Sequence, residues 1–386
     1  MVGTTIEPAA YTAVGSNTTL IDIGFDLQNF SPDCLVFAIP ENASDVILRD
    51  YLSKEIITTF IVLYTLIIVL ACFGNGLVIV IIARNRKNRT VTDCFLLSLA
   101  IGDLLIALVN MPFQLYYHIH NRWELGQEMC KFVNYIQAIT ITASIATLTA
   151  ISLDRYVAIC HPFRSRQSKS QLKAILMLVS IWNFSFLISI PQAFFSKINP
   201  PKIYISPTDG CMSLAYVCQE HWNSRTEFLI YNIFWYCVIY VTPTIIMMGS
   251  YTAVGHRLWI RKPIGDMLEN PRNYDRHIKQ KKQIVKMLFI IVAMFTICWF
   301  PFFTVHFYGS FNETGDDFQI TRAILQLVGY SNCCINPVVY TFLNKNFQNQ
   351  FQYLLSCCSW RRKPLKPEAI AATTMIHNTN STAMEA

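Results

Sequence analysis

Apolar residues gather into seven long stretches, at about 56–83, 92–117, 132–159, 172–194, 228–259, 286–307 and 320–343. A helix that crosses the hydrocarbon core of a bilayer needs about 20 mostly apolar residues, and every stretch is long enough. The pattern predicts an all-α membrane protein, a bundle of seven transmembrane helices. The seventh stretch is the most polar and depends on its neighbours for its assignment. A membrane barrel would instead show alternating segments of about 10 residues. No internal repeat of the kind that marks many transporters is visible either.

Lys and Arg accumulate in loops one, three and five and after the seventh span, beginning with Arg84, Arg86, Lys87 and Arg89. Positive charge in short loops marks the cytoplasmic side, so the N-terminus is expected outside and the chain in the plasma membrane. The expected organisation is an extracellular segment over 1–54, the seven-helix bundle over 55–343, a short amphipathic eighth helix over 344–356 and a cytoplasmic tail over 357–386. Phe347, Phe351, Leu354 and Leu355 recur at i, i+4, i+7 and i+8, the apolar face of a helix lying on the membrane. Cys357 and Cys358 follow, where palmitoylation would add an anchor. The first 50 residues hold no apolar core of a cleaved signal peptide, so the first span is expected to direct insertion. Sequons at Asn17, Asn29, Asn42 and Asn312 fall on the outer side and predict glycosylation. Those at Asn88, Asn183 and Asn380 fall in the cytoplasm or the membrane.

Hydrophobic residues make up 53% of the chain and charged residues 14%, against about 45–50% and 25% in soluble domains. This balance argues against a soluble enzyme, a disordered chain and a nucleic-acid binder. Most of the 13 cysteines lie in spans as packing residues. Only Cys34, Cys130, Cys211 and Cys218 are expected on the oxidising side, where four cysteines allow three pairings.

An ionisable group inside a span is costly and marks function. Span two carries Asp103, with Asn75, Ser144, Ser331, Asn332 and Asn336 at comparable depth in other spans. Carboxylate, hydroxyl and amide oxygens converging there could hold Na⁺ or a proton, or tether the helices through hydrogen bonds; both roles can coexist. Asp154-Arg155-Tyr156 ends span three. Pro243 in span five, Cys298-Trp299-Phe300-Pro301 in span six and Asn336-Pro337-Val338-Val339-Tyr340 in span seven add proline kinks.

Together with Gly74-Asn75, Leu99-Ala100-x-x-Asp103 and Trp182, these motifs stand in the order and spacing of one family. Over roughly Ile56 to Cys358 the chain resembles a rhodopsin-like G-protein-coupled receptor. The resemblance implies a Cys130–Cys218 disulfide pinning the second outer loop over the bundle mouth. It implies a switch at Trp299 with Phe295, Ile145 and Pro243, and G-protein coupling through Asp154, Arg155, Tyr251 and Tyr340. A sodium ion at Asp103, Ser144 and Asn332 is expected, with no other cofactor and no catalysis. Relatives often place Glu 20 residues before the span-six proline, to pair with the Arg; here that residue is Lys281.

Amine receptors carry Asp at the position of Gln137, so an amine would lose its anchor here. Gln137, Pro191-Gln192 and Cys218-x-Glu220-x-Trp222 resemble the peptide branch, nearest to receptors of the orexin and allatotropin, neuropeptide FF and SIFamide, and cholecystokinin types. The ligand contacts expected are Gln137, Gln192, Glu220, Phe302, His306 and Gln326. Glu220 reads first as a solvated loop charge unless the peptide is basic. The expected partners are an extracellular peptide, a heterotrimeric G protein, receptor kinases and arrestin, and membrane lipid, with no nucleic acid. A non-peptide ligand is the alternative. A polytopic transporter or enzyme is more remote, since the spans hold one mid-depth Asp and no H-E-x-x-H.

Overall fold

A computed structural model describes residues 46–47, 54–84, 90–120, 122–161, 171–199, 202–205, 212–259, 271–312, 316–343 and 347–352. Seven long helices account for most of them: α1 (Lys54–Arg84), α2 (Val91–His120), α3 (Gly126–Cys160), α4 (Gln171–Phe195), α5 (Arg225–Leu258), α6 (Pro271–Phe311) and α7 (Asp316–Leu343). Six pass the length and apolarity needed to cross a membrane. The exception is α7, the stretch whose composition was weakest. It packs between α1 and α6 and is tied to α1 and α2 by polar contacts. The Asn75 amide of α1 donates to the Cys333 carbonyl at 2.9 Å, and the Asn336 amide donates to Asp103 of α2 at 2.9 Å.

The helices extend beyond the apolar stretches that predicted them. α6 begins at Pro271 rather than near 286, because Lys and Gln at that end lie outside hydrocarbon and still favour helix. Two π-helical turns interrupt the ladders, Ile106–Asn110 in α2 and Trp235–Val241 in α5. Each stands just before a proline. Pro112 and Pro243 cannot donate, and their rings crowd the carbonyl four residues back. The ladder widens in response: the Met111 N–H reaches the Ile106 carbonyl and the Thr242 N–H reaches that of Cys237. α4 is also broken, at Ser189 just before Pro191.

α3 is the central post, buried along much of its length, while α1, α4 and α5 expose Leu, Ile, Val and Phe. One continuous apolar core runs through the bundle, from Phe60 and Tyr64 past Trp299 to Tyr251 and Tyr340. One end of the bundle is capped by strands that the apolar pattern did not foretell. β2 (Ser196–Ile198) pairs antiparallel with β5 (Cys218–Glu220). β3 (Lys202–Ile205) pairs antiparallel with β4 (Met212–Ala215) and parallel with β1 (Val46–Ile47).

α3 pins this cap. Its residues Gln127, Cys130 and Asn134 recur at i, i+3 and i+7. Gln127 donates to the Ser196 carbonyl at 2.8 Å and accepts from the Ile198 N–H at 2.9 Å. Cys130 is disulfide-bonded to Cys218, with Cα atoms 5.7 Å apart. The Asn134 amide lies 3.1 Å from the Ser196 hydroxyl. The turn into α3 needs Gly126, whose φ of 81° is left-handed and costs a β-carbon residue energy. The Trp123 indole locks it by donating to the Gly126 carbonyl at 3.0 Å. Trp123, Cys130 and Val133 form a small second core under the cap.

Of the eighth helix expected over 344–356, residues 347–352 are described and are helical, with Phe347 buried 6.1 Å from the Tyr340 ring. Asn17, Asn29, Asn42, Cys34, Cys211, Cys357 and Cys358 lie outside the described residues. Asn312 is exposed at the end of α6, its amide donating to the Tyr308 carbonyl at 2.9 Å.

Candidate functional site

Beneath the cap the bundle opens into a cavity of about 460 Å³. Gln137, Gln192, Glu220, Phe302, His306 and Gln326 all line it. They come from α3, α4, β5, α6 and α7, so only the closed bundle brings them together. Glu220 is not the freely solvated charge expected. It is half-buried, and its two oxygens accept from the Gln192 amide at 3.0 Å and the Trp222 indole at 2.8 Å. Trp222 is itself stacked on Phe195 and packed on Tyr231, at centroid distances of 3.9 and 4.7 Å. The carboxylate is thereby held in place without a cation. Among the described residues lining the cavity it is the only acid. Gln137 makes no side-chain hydrogen bond among the described residues, and Gln192 turns to Glu220 rather than to Gln137.

The deep wall is aromatic. The His306 ring stacks on Phe302 at 5.9 Å, and Trp299 stands edge-on to Phe302 at 5.7 Å and to Tyr330 at 6.0 Å. Gln326 donates to the Tyr330 hydroxyl at 2.8 Å. Trp299 is 1% exposed and lies against Gly329, where an added β-carbon would sit 2.8 Å from the indole. Phe295, 6.3 Å away, and Ile145 continue the same buried core. Pro243 stands apart from it, half-buried, and its visible effect is the π turn in α5.

Farther down, Asp103 is 2% exposed and accepts from the Asn336 amide at 2.9 Å. Asn336 was among the polar groups expected at that depth, whether as an ion ligand or as a tether between helices. Ser144 and Asn332 are buried too, each with an oxygen lacking a partner among the described residues. Ser144 abuts Gly102, beside Asp103. At the uncapped end the Arg155 guanidinium pairs with Asp154. The hydroxyls of Tyr251 and Tyr340 are buried and find no partner among the described residues.

Several lining residues escaped sequence reasoning, among them Gln114, His118, Asn134, Tyr231 and Arg322. A projection by helical period would have found two of them. Gln114 lies three turns beyond Asp103, and Arg322 one turn before Gln326.

The family described as "7 transmembrane receptor (rhodopsin family)" matches residues 74–340. The chain is 34% identical over 325 residues to a "QRFP-like peptide receptor" of Branchiostoma floridae, covering 82% of each chain. It is 31% identical to a "Pyroglutamylated RF-amide peptide receptor" of Rattus norvegicus over 76% of this chain and 69% of that one. A "RYamide receptor" of Drosophila melanogaster is 30% identical over 88% and 72% of the two chains. The motifs, the seven-helix bundle and these matches lead to one conclusion: the chain belongs to the rhodopsin family of seven-transmembrane receptors.

Proposed function

We propose that this protein is a plasma-membrane receptor for an extracellular neuropeptide with a basic, C-terminally amidated end, and that it activates heterotrimeric G proteins. The capped end faces outward and the Asp154 end inward. The observation that carries the ligand class is the single carboxylate of Glu220 held open in a cavity of amides and aromatics. It suits one cation, such as an arginine side chain. Gln137, Gln192 and Gln326 both donate and accept, as a terminal carboxamide requires. The aromatic wall accepts an aromatic side chain. The relatives named for RF-amide and RYamide peptides support the same end group. A lipid without a cationic group would leave the Glu220 carboxylate without a counter-charge.

The peptide end presses on Phe302, His306 and Trp299, and the agonist favours the arrangement it binds better. Phe295, Ile145 and Pro243 pass the change to α6, which pivots at Pro301. Arg155 then leaves Asp154 for the hydroxyls of Tyr251 and Tyr340, opening a seat for the G protein. Receptor kinases and arrestin engage the same face.

The test is nucleotide exchange on purified G protein, driven by synthetic peptides ending in Arg-Phe-amide or Arg-Tyr-amide. Micromolar or better activation supports the reading, and activation by a monoamine or lipid alone overturns it. Gln137→Ala should lower potency about 5- to 150-fold, the cost of leaving a buried polar partner unsatisfied, with surface expression retained.

Two further outcomes are expected in the same assay. Gly329→Ala should raise basal exchange, because its β-carbon displaces Trp299 from the resting seat, an overpacking effect of about 1–3 kcal/mol. Unchanged basal exchange at equal surface density would show that Trp299 tolerates the contact. Na⁺ should weaken agonist binding by linkage, through Asp103, Ser144 and Asn332, and Asp103→Asn should abolish that effect. A sodium effect that survives the substitution places the ion elsewhere.

A further inference from the structure

The cavity carries a second charge. Gln319, Arg322 and Gln326 recur at i, i+3 and i+7 on α7, and all three line it. Gln326 is satisfied by Tyr330. Gln319 and Arg322 make no hydrogen bond or ion pair among the described residues. Arg322 is half-buried and close enough to His306 to act on it electrostatically. It is also the only Lys or Arg among the described lining residues. Glu220 sits on the other side, held by α4 and packed toward α5, whereas α7 lies between α1 and α6. The cavity is thus bipolar. Its acid is already oriented by two donors, and its cation has no counter-charge among the described residues.

A guanidinium fork matches a carboxylate, accepting geometry in two parallel N–H···O bonds. The neighbouring Gln319 amide offers a further donor, and a carboxylate has lone pairs for all three. We propose that Arg322 and Gln319 form a carboxylate subsite, so that the agonist carries an acidic side chain upstream of its basic, amidated end. This inference rests on the peptide reading above. Glu220 and Arg322 then read two charges of opposite sign and fix the direction in which the peptide lies. A peptide with the reversed charge order would meet like charges at both ends.

The probe is a panel of synthetic peptides ending in Arg-Phe-amide, with one Glu walked through the positions before the Arg and matched Gln and Lys series. Potency is read by nucleotide exchange at the wild-type receptor and at Arg322→Gln, Arg322→Lys and Arg322→Glu, each at matched surface density. At one position Glu should exceed Gln by about tenfold, the lower end of what a hydrogen bond to a charged group contributes. Arg322→Gln should erase that preference, Arg322→Lys should keep part of it, and Arg322→Glu should make Lys the better residue there. Equal potency of Glu and Gln at every position, or a preference that survives Arg322→Gln, overturns the subsite. The Gln series tests the parent reading separately. If it activates the receptor, the peptide reading stands whatever becomes of Arg322; if no series does, both fall.

Discussion

Replacing Cys218 with serine is expected to remove most receptor from the cell surface and to cost the remainder at least tenfold in agonist potency. The disulfide closes 88 residues, worth about 4–5 kcal/mol for a free chain on the loop-entropy estimate. The bilayer already confines the helix ends, so the realised value is smaller. The larger consequence is local. Glu220 stands two residues from Cys218 on a three-residue strand, and Trp123, Cys130 and Val133 pack around the bond. Without it, β5 keeps its pairing with β2, which Gln127 and Asn134 tie to α3, but loses its covalent stop. Because one bond is involved, Cys130→Ser, Cys218→Ser and the double variant should lose the same amount. Surface labelling and agonist potency decide it. Losses that add in the double variant would mean that the two cysteines act separately.

Neutralising Glu220 is the second large effect. Glu220→Gln keeps the size and leaves an oxygen for the Trp222 or Gln192 donor, so it isolates the charge. Truncating one member of a buried charge pair costs about 2–5 kcal/mol. Glu220 is only half-buried, so the lower part of that range applies, a potency loss of about 30- to 150-fold for an Arg-containing amidated peptide. Replacing the peptide arginine by citrulline should cost the wild-type receptor as much, and should cost the Glu220→Gln receptor almost nothing. Higher salt should lower potency at the wild type and matter less in the variant, since screening acts on the charge pair and on peptide approach. Independent losses from the two changes would show that arginine pairs elsewhere.

Much of this was legible in the sequence because membranes impose simple rules. Seven apolar stretches foretold seven helices, Asp103 announced itself as a costly ionisable group in hydrocarbon, and Arg155, Trp299 and Pro337 stood out through motifs in the order and spacing of one family. The six expected cavity residues do share one cavity. What the sequence hid was set by contacts across the bundle. The strands of the cap are short, and β2 and β5 are tied to α3 by contacts distant in sequence. Glu220 read as solvated because nothing in its own segment showed that Gln192, 28 residues earlier, would reach it. Arg322 went unnoticed because a cation at a span end is ordinary; only the lining of the cavity shows that it has no counter-charge among the described residues. Asp103 was expected among Ser144, Asn332 and Asn336, and a sequence cannot say which of them it bonds; the structure gives Asn336.

The weak apolarity of α7 bears on how the molecule is made. A segment that fails the apolar threshold gains little by entering lipid alone, where its Asn and Gln side chains would lack partners. Inside the assembled bundle Asn336 meets Asp103, and Asn75 reaches the Cys333 carbonyl. Stable insertion of the last helix therefore depends on earlier helices having already packed. During biosynthesis the bundle is completed by its own prior assembly, and Asp103 and Asn75 wait without α7 until that step. Mutations at these two sites should trap nascent chains in the endoplasmic reticulum, so that a lesion in the second helix shows itself as a failure of the seventh.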